Sequence, residues 1–406
     1  MLKSFLYQVE QKVVIIVDEY DTPIIHTYKN IEKADRIRDT LSTFYSVIKN
    51  RDDKVRFFFI TGITKFSNMS IFSQMNNLTD LTFDPAYAAA FGYTEKEMEK
   101  NFSEHIDAYM NRSDREYEKR EGFISAIRNY YDGYKFSYES DEKVYNPVSV
   151  GSFFNGGCSF KNYWMETGGA STLAVELARE YNLETIILDN VELDVNSISS
   201  FDYLLLARKE LSQYQILALI YFTGYLTIKE GNMNVLTLTF PNTEVKTTFT
   251  QFLVQKYSGI VVGFFVNKAE KALKGHDTAQ LVKVLNAYYT EHPYTLLEKE
   301  KGYQLAFYSF FVMMGGVAMR AEETTLLGRS DVVLETKNDV YVIELKRDKS
   351  AREALEQVKT MGYHEKYVNT DKTIHIIGLN CISEKRQINE WTEEIVDKTK
   401  EPDYLG

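Results

Sequence analysis

Gly328-Arg329-Ser330-Asp331-Val332-Val333-Leu334, followed shortly by Val340-Tyr341-Val342-Ile343-Glu344-Leu345-Lys346, is the stretch on which the reading of this 406-residue chain turns. Both runs are short and apolar, as strands are. Each nevertheless carries charge where a strand should be dry. Asp331 opens the first run. Glu344 and Lys346 sit two apart on the second, so strand alternation puts both on one face. Asn338-Asp339 supplies the turn that makes a hairpin of the two runs. Two carboxylates and an ammonium on one hairpin cost free energy unless they bind something. A hard divalent cation, with the lysine beside it, satisfies that chemistry. E-x-K alone is common, and a solvated hairpin with alternating charges would also carry it. The strand-opening Asp and the apolar background distinguish this one.

The pattern resembles the D…(D/E)xK core of the PD-(D/E)xK nuclease superfamily, which is built as a helix, a hairpin, a helix and a strand. The sequence offers these in order: a helix over Tyr303 to Met314, the charged hairpin, a helix over Ser350 to Met361, and a strand over Thr373 to Leu379. A closing helix is expected over Glu384 to Thr399. The resemblance implies that Asp331 and Glu344 ligate Mg2+ or Mn2+. It implies that Lys346 orients the attacking water or stabilises charge on the phosphate. Gln357, at a helical position downstream, resembles the glutamine that often follows the motif. Glu300 or Glu322 offers a further acidic residue, and Glu300 fits the first-helix position better.

A second constellation lies near the amino end. Val13-Val14-Ile15-Ile16-Val17 is an apolar run closed by Asp18-Glu19-Tyr20-Asp21. Such a run predicts a strand buried on both faces of a parallel sheet. An amphipathic helix over Ile31 to Lys49 and a second strand over Val55 to Ile60 complete a doubly wound pattern. The run has the form of a Walker B strand. In that role Asp18 holds magnesium and Glu19 polarises the attacking water, with Thr61 or Thr64 sensing the γ-phosphate. The plainer alternative is that Asp-Glu simply closes a strand. No G-x-x-x-x-G-K-[ST] loop occurs in the sequence, and twelve residues precede Val13. The expectation is an amino-terminally shortened domain, whether gene fragment, late start or natural short relative, with ATP hydrolysis not expected.

These pieces together resemble the bacterial AAA-ATPase-like proteins that carry a carboxyl-terminal PD-(D/E)xK nuclease domain. The matching stretches are VVIIVDEYDTPI (13–24), FFFITGITKFSNMSIFSQMNNLTDLT (57–82), YDGYKF (131–136), VYNPVSV (144–150), YWMETG (163–168), TGYLTI (223–228), FPNTEV (240–245), GRSDVVLETKNDVYVIELK (328–346) and ALEQVKTMGYHEKY (354–367). The fold class expected is α/β and multi-domain. It comprises a partial P-loop NTPase-like parallel domain over 1–150, a helical and winged-helix-like region over 151–298, and a nuclease-like domain over 299–406. The winged-helix element rests on a helix over Leu211 to Phe222, strands Tyr225 to Ile228 and Val235 to Phe240, and a helix over Glu244 to Tyr257. Lys65, in TKFS, matches the family without an assignable role.

Bulk properties narrow the partners. Apolar residues make up 44% of the chain, enough for substantial cores. A net charge of −11 argues against broad electrostatic coating of nucleic acid but allows a local basic groove. Two cysteines, Cys158 and Cys381, give no disulfide framework or zinc cluster, and the six histidines show no ligand spacing. No signal peptide and no membrane-spanning run is evident, so a cytoplasmic setting is expected. The competing functions are a nuclease, with DNA preferred over RNA as partner, a non-catalytic binding or assembly module, and a nucleotide switch. A homo-oligomer is compatible with all three.

Overall fold

A computed structural model of the protein describes residues 6–27, 29–62, 78–164, 186, 190–196, 211–258, 262–292, 300–314, 318–319, 331–336, 338–362 and 364–398. Strand β1 (Val13–Val17) leads into a short helix α1 (Thr22–Ile25) and the long helix α2 (Ile31–Lys49). Asn30 caps α2, its side chain accepting from the Lys33 N–H at 3.0 Å. Strand β2 (Val55–Ile60) then returns parallel to β1, with Ile15 beside Phe58 and Val17 beside Ile60. The helical crossover between parallel strands follows the sequence reading.

Burial of these strands departs from it. The two faces alternate. Ile15, Val17, Val55, Phe58 and Ile60 pack on the main core, where the rings of Tyr45 and Phe58 lie 6.4 Å apart. Val14, Ile16 and Phe57 are exposed. A parallel strand is dry on both faces only when a layer covers each one. Among the described residues this sheet has two strands, and its α1 and α2 core residues Ile24, Tyr45 and Ile48 belong to the single covered side.

The next four helices are α3 (Glu95–Asn101), α4 (Ser103–Met110), α5 (Arg120–Tyr131) and α6 (Pro147–Asn155). They enclose a separate aromatic core that includes Phe123, Tyr131, Tyr145 and Phe153. The Tyr131-Asp132-Gly133-Tyr134 turn is a packing device. Gly133 has φ +111°, and a Cβ there would stand 2.0 Å from the Pro241 carbonyl oxygen.

Strand β3 (Val191–Asp194), absent from the sequence reading, precedes helix α7 (Gln213–Phe222), the hairpin β4 (Thr227–Gly231) and β5 (Val235–Thr239), and helix α8 (Thr243–Ser258). β3 joins the hairpin as an antiparallel third strand in the order β3-β5-β4. The expected helix–hairpin–helix is therefore present with one strand more.

Glu244, in the first turn of α8, is fully buried and accepts a hydrogen bond from the Trp164 N–H at 2.7 Å. Burial lifts its carboxyl from 4.5 to about 7, against the lowering effect of the Trp164 bond. The raised value has a definite sign. Below about pH 4.5 the group is protonated folded and unfolded, and nothing is lost. Between 4.5 and about 7 the unfolded chain holds fewer protons, so stability falls as pH rises. The full penalty, about 3 kcal/mol, is present above 7. Glu244→Gln should therefore match the parent near pH 4 and melt higher at pH 8. Thermal melts across that range check this, and an unaltered pH slope in the variant would refute it.

Helices α9 (Gly263–Lys274) and α10 (Thr278–Thr290) pack on each other, and α11 (Glu300–Val312) carries Phe307, Phe310 and Phe311 into the main core. The last unit is a sheet of β6 (Ala318–Met319), β7 (Asp331–Glu335), β8 (Asp339–Arg347), β9 (Thr373–Ile382) and β10 (Gln387–Ile395), with α12 (Ala351–Met361) crossing between β8 and β9. The order is β10-β9-β8-β7-β6, and β8–β9 is its parallel pair. One face carries Val340, Val342, Ile374 and Ile376 beneath Leu355 and Val358 of α12. The other carries Tyr341, Ile343, Ile377 and Leu379 into the main core.

The closing helix expected over Glu384 to Thr399 is replaced by the edge strand β10. Its glutamates, Glu390, Glu393 and Glu394, do not form the solvated face of a helix. Each instead holds a neighbour: Glu390 accepts from the Ala351 N–H, Glu393 bonds His375 and Thr278, and Glu394 bonds Lys359. Charged edge strands of this kind also resist pairing with another chain. Among the described residues, no helix is long and apolar enough to cross a membrane. Cys158 and Cys381 are free thiols.

Candidate functional site

The β7–β8 ladder fixes the geometry of the charged hairpin. Asp331 lies directly opposite Glu344, Val332 opposite Ile343 and Val333 opposite Val342. Directly opposed positions on antiparallel strands share one face of the sheet. Alternation along β8 adds Lys346 to the face of Glu344. Strand alternation alone puts Glu344 and Lys346 on one face, and the β7–β8 register adds the Asp331 position to it. For Asp331 the backbone alone is described.

Glu344 is fully buried, and its carboxylate is half satisfied. Oε1 accepts from the Lys346 ammonium at 2.7 Å. Oε2 is buried without a hydrogen-bond partner. A buried carboxylate oxygen left bare is costly unless a cation or donor meets it. Lys346 is about one-sixth exposed, so its head group reaches the solvent side of the pair. The site residues therefore fit a divalent cation: an orphaned oxygen, a second carboxylate position directly across the ladder, and an oxygen-only donor set suited to Mg2+ or Mn2+.

Helix α12 supports this face. Its first turn is fixed by a reciprocal cap, in which Ser350 Oγ accepts from the Glu353 N–H and the Glu353 carboxylate accepts from the Ser350 N–H. Gln357 sits half-buried at the margin of the apolar stripe formed by Ala351, Ala354, Leu355 and Val358. Asn380 escaped sequence reasoning. It is buried opposite Lys346 in the β8–β9 register, and its side chain accepts from the Lys349 N–H at 3.0 Å, pinning the turn into α12. The one available signal was a polar residue inside the apolar run Thr373 to Ile382. Exposed Lys349 and Arg352 follow Lys346 and half-buried Arg347, and although exposed Asp348, 3.7 Å from Arg347, and Glu353 lie among them, cations are in excess along this rim at the carboxyl end of β8 and the start of α12. Glu300 begins α11 with its side chain outside the described atoms, and Glu322 lies outside the described residues.

The amino-terminal candidates cluster at the carboxyl edges of β1 and β2. Thr61 Oγ1 donates to Asp18 Oδ1, and the Glu19 N–H donates to Thr61 Oγ1 at 3.3 Å. Glu19 adopts φ +49° and accepts from Thr22 Oγ1 through its carboxylate at 3.0 Å. Asp18, Glu19 and Thr61 therefore meet as one hydrogen-bonded group. Thr64 and Lys65 lie outside the described residues.

Two family models match the chain. One, described as the PD-(D/E)XK nuclease superfamily, covers residues 298–391. The other, described as "Predicted AAA-ATPase", covers residues 1–72. An uncharacterized protein encoded in the vnfD 5′ region of Azotobacter chroococcum mcd 1 is 32% identical over 394 residues, spanning 93% of this chain and 71% of that protein. No solved structure matches.

Proposed function

Because this chain belongs to the family that joins a predicted AAA-ATPase region to a carboxyl-terminal PD-(D/E)XK nuclease-superfamily domain, we propose that its last sheet is a metal-dependent phosphodiesterase centre acting on nucleic acid, on DNA in preference to RNA. The observation that carries the reading is the Glu344 carboxylate, buried with one oxygen on Lys346 and the other bare, directly across the ladder from Asp331.

Asp331 and Glu344 would hold the cation, Mg2+ or Mn2+. When bound, it supplies Lewis-acid polarisation of the scissile phosphoryl group. Lys346 places an ammonium at the same carboxylate, where it orients an attacking water and stabilises charge developing on the phosphate oxygens. Gln357 borders this face from α12 and positions rather than ionises. The basic rim of Lys346, Arg347, Lys349 and Arg352 holds the polymer backbone locally, which overall acidity would otherwise repel.

Full-length protein incubated with single- and double-stranded DNA and RNA in Mg2+ or Mn2+ tests this. Cleavage of DNA that is lost with chelator and in Glu344→Ala is expected. No cleavage of any polymer with either ion, or cleavage indifferent to Glu344→Ala, would refute it. One observation favours a second reading, in which the unit binds without cutting: Lys346 already neutralises the fully buried Glu344. Retained polymer binding with no cleavage is the outcome that selects it.

We further propose that Asp18, Glu19 and Thr61 are the remnants of a nucleotide site. The carboxyl edge of parallel strands is where such sites form in open α/β sheets. No phosphate-cradling loop of the G-x-x-x-x-G-K-[ST] type occurs in the 406 residues, so titration of Mg-ATP by calorimetry should give no binding heat. Measurable affinity would overturn that expectation.

A further inference from the structure

The sheet has a second polar cluster on the face opposite Glu344. The odd-numbered positions of β8 point away from the even-numbered ones. Asp339, which opens β8, lies near His375 of β9, with His375 Nε2 standing 3.4 Å from Asp339 Oδ1. His276 Nδ1 stands 4.0 Å from the same oxygen. His276 sits in the tight loop between α9 and α10, at φ +52°, a backbone conformation that L residues rarely adopt. One ligand atom from each of the three lies within 4.8 Å of the others. These residues are far apart in sequence, so the histidines read as unspaced. The tertiary fold brings them together.

The hydrogen bonds around His375 are those of a metal-binding imidazole. Nδ1 bonds Glu393 Oε1 at 2.8 Å, and Glu393 is itself held by Thr278 Oγ1 through its other oxygen at 2.6 Å. A carboxylate behind one ring nitrogen fixes the tautomer and directs the other nitrogen's lone pair forward. That nitrogen, Nε2, is buried and has no hydrogen-bond partner. His375 as a whole is 97% buried, its relative exposure being 3%. Facing a carboxylate at 3.4 Å, Nε2 is too far for a charge-assisted hydrogen bond, which runs about 2.7–2.9 Å. The same spacing suits two ligands on one tetrahedral ion, which at bond lengths of about 2.0–2.1 Å lie about 3.4 Å apart. The stacked rings of Tyr341 and His375, 4.6 Å apart, wall the cluster on its inner side.

We propose that His276, Asp339 and His375 form a binding site for one zinc-class divalent cation, separate from the Glu344 centre and of different chemistry. Two imidazoles and a carboxylate favour a borderline transition ion over Mg2+. The half-exposed His276 leaves a coordination position open to solvent. His276 Nδ1 lies 3.1 Å from the Tyr341 hydroxyl, which also approaches the Leu273 carbonyl oxygen at 2.7 Å. The Tyr341 hydroxyl has a single proton, and giving it to Leu273 leaves it an acceptor for an Nδ1–H. Ligation through Nδ1 then requires the imidazole to carry its proton on Nε2 instead. Occupancy would staple the α9–α10 loop to the amino ends of β8 and β9.

Chelator-treated full-length protein, kept in excess Mg2+ so that the Glu344 centre is not a competing zinc site, should bind one Zn2+ by calorimetry and melt at higher temperature with it. Co2+ should take the same site and give the visible absorption of a low-symmetry nitrogen and oxygen environment. His276→Ala alters a loop residue and is checked for fold by circular dichroism. It should weaken Zn2+ at least tenfold and remove the thermal shift, as should Asp339→Asn. Absence of stoichiometric Zn2+ binding overturns the proposal, and so does binding left unchanged in folded His276→Ala. A loss of nucleic-acid cleavage in Glu344→Ala with Zn2+ binding intact bears on the other centre and leaves this one standing.

Discussion

Glu344→Gln should lower metal-dependent cleavage by on the order of a thousandfold, equivalent to about 4 kcal/mol of transition-state stabilisation, while leaving the protein folded. The amide keeps the size of the side chain and an oxygen that can accept from the Lys346 ammonium, as Glu344 Oε1 does at 2.7 Å. What disappears is the charge that would hold a cation at the bare Oε2. Lys346 retains a route to solvent, so its charge is not stranded. Lys346→Met is a poorer probe. It strips the partner from a fully buried carboxylate, a change that costs about 3–5 kcal/mol in buried pairs and confounds catalysis with folding. Lys346→Arg keeps the charge and tests placement. Single-turnover rates at saturating Mn2+, with melting temperatures measured alongside, separate the effects. A folded Glu344→Gln that cuts at the parent rate would end the assignment.

The second large effect is structural. Gly378 lies on β9 directly beside Glu344, beneath α12. A Cβ at this position would stand 2.1 Å from the Ala351 carbonyl oxygen and 2.8 Å from the Leu355 nitrogen. Both are backbone atoms of one helix, so neither can rotate aside. Gly378→Ala must lift α12 from the sheet, where the helix buries Ala351, Ala354, Leu355 and Val358. Overpacking of this kind costs about 3 kcal/mol when backbone has to move. The same displacement carries Gln357 away from the face of Glu344. Urea titration should give an earlier transition for the carboxyl-terminal unit, and cleavage should fall with it. A variant as stable as the parent would show that α12 does not sit against this strand.

The amino-terminal strand-helix-strand unit and the charged hairpin were legible because their signals are local. An apolar run, a turn at Asn338-Asp339 and charges two apart on a strand need no knowledge of neighbours. The helix expected over Ser350 to Met361 was legible for the same reason, and α12 spans Ala351–Met361. The closing segment was misread because its glutamates carry information that is meaningful only across elements: Glu390, Glu393 and Glu394 each bond a residue well removed in sequence. β1 and β2 were identified as strands, yet their exposed face was missed, since burial depends on what covers a sheet and not on the strand's own apolarity.

By itself, the sequence determined the α/β character of the chain, the order of the nuclease-like elements, and the shared face of Glu344 and Lys346, because a strand's side chains alternate with a period of two wherever it lies. Only the tertiary structure decided that Asp331 stands in register with Glu344, that Glu344 Oε2 is left bare in a dry interior, and that His276, Asp339 and His375 gather on the opposite face. Those are facts of strand pairing and helix docking, which bring distant residues within a few ångströms and leave no mark on their spacing along the chain.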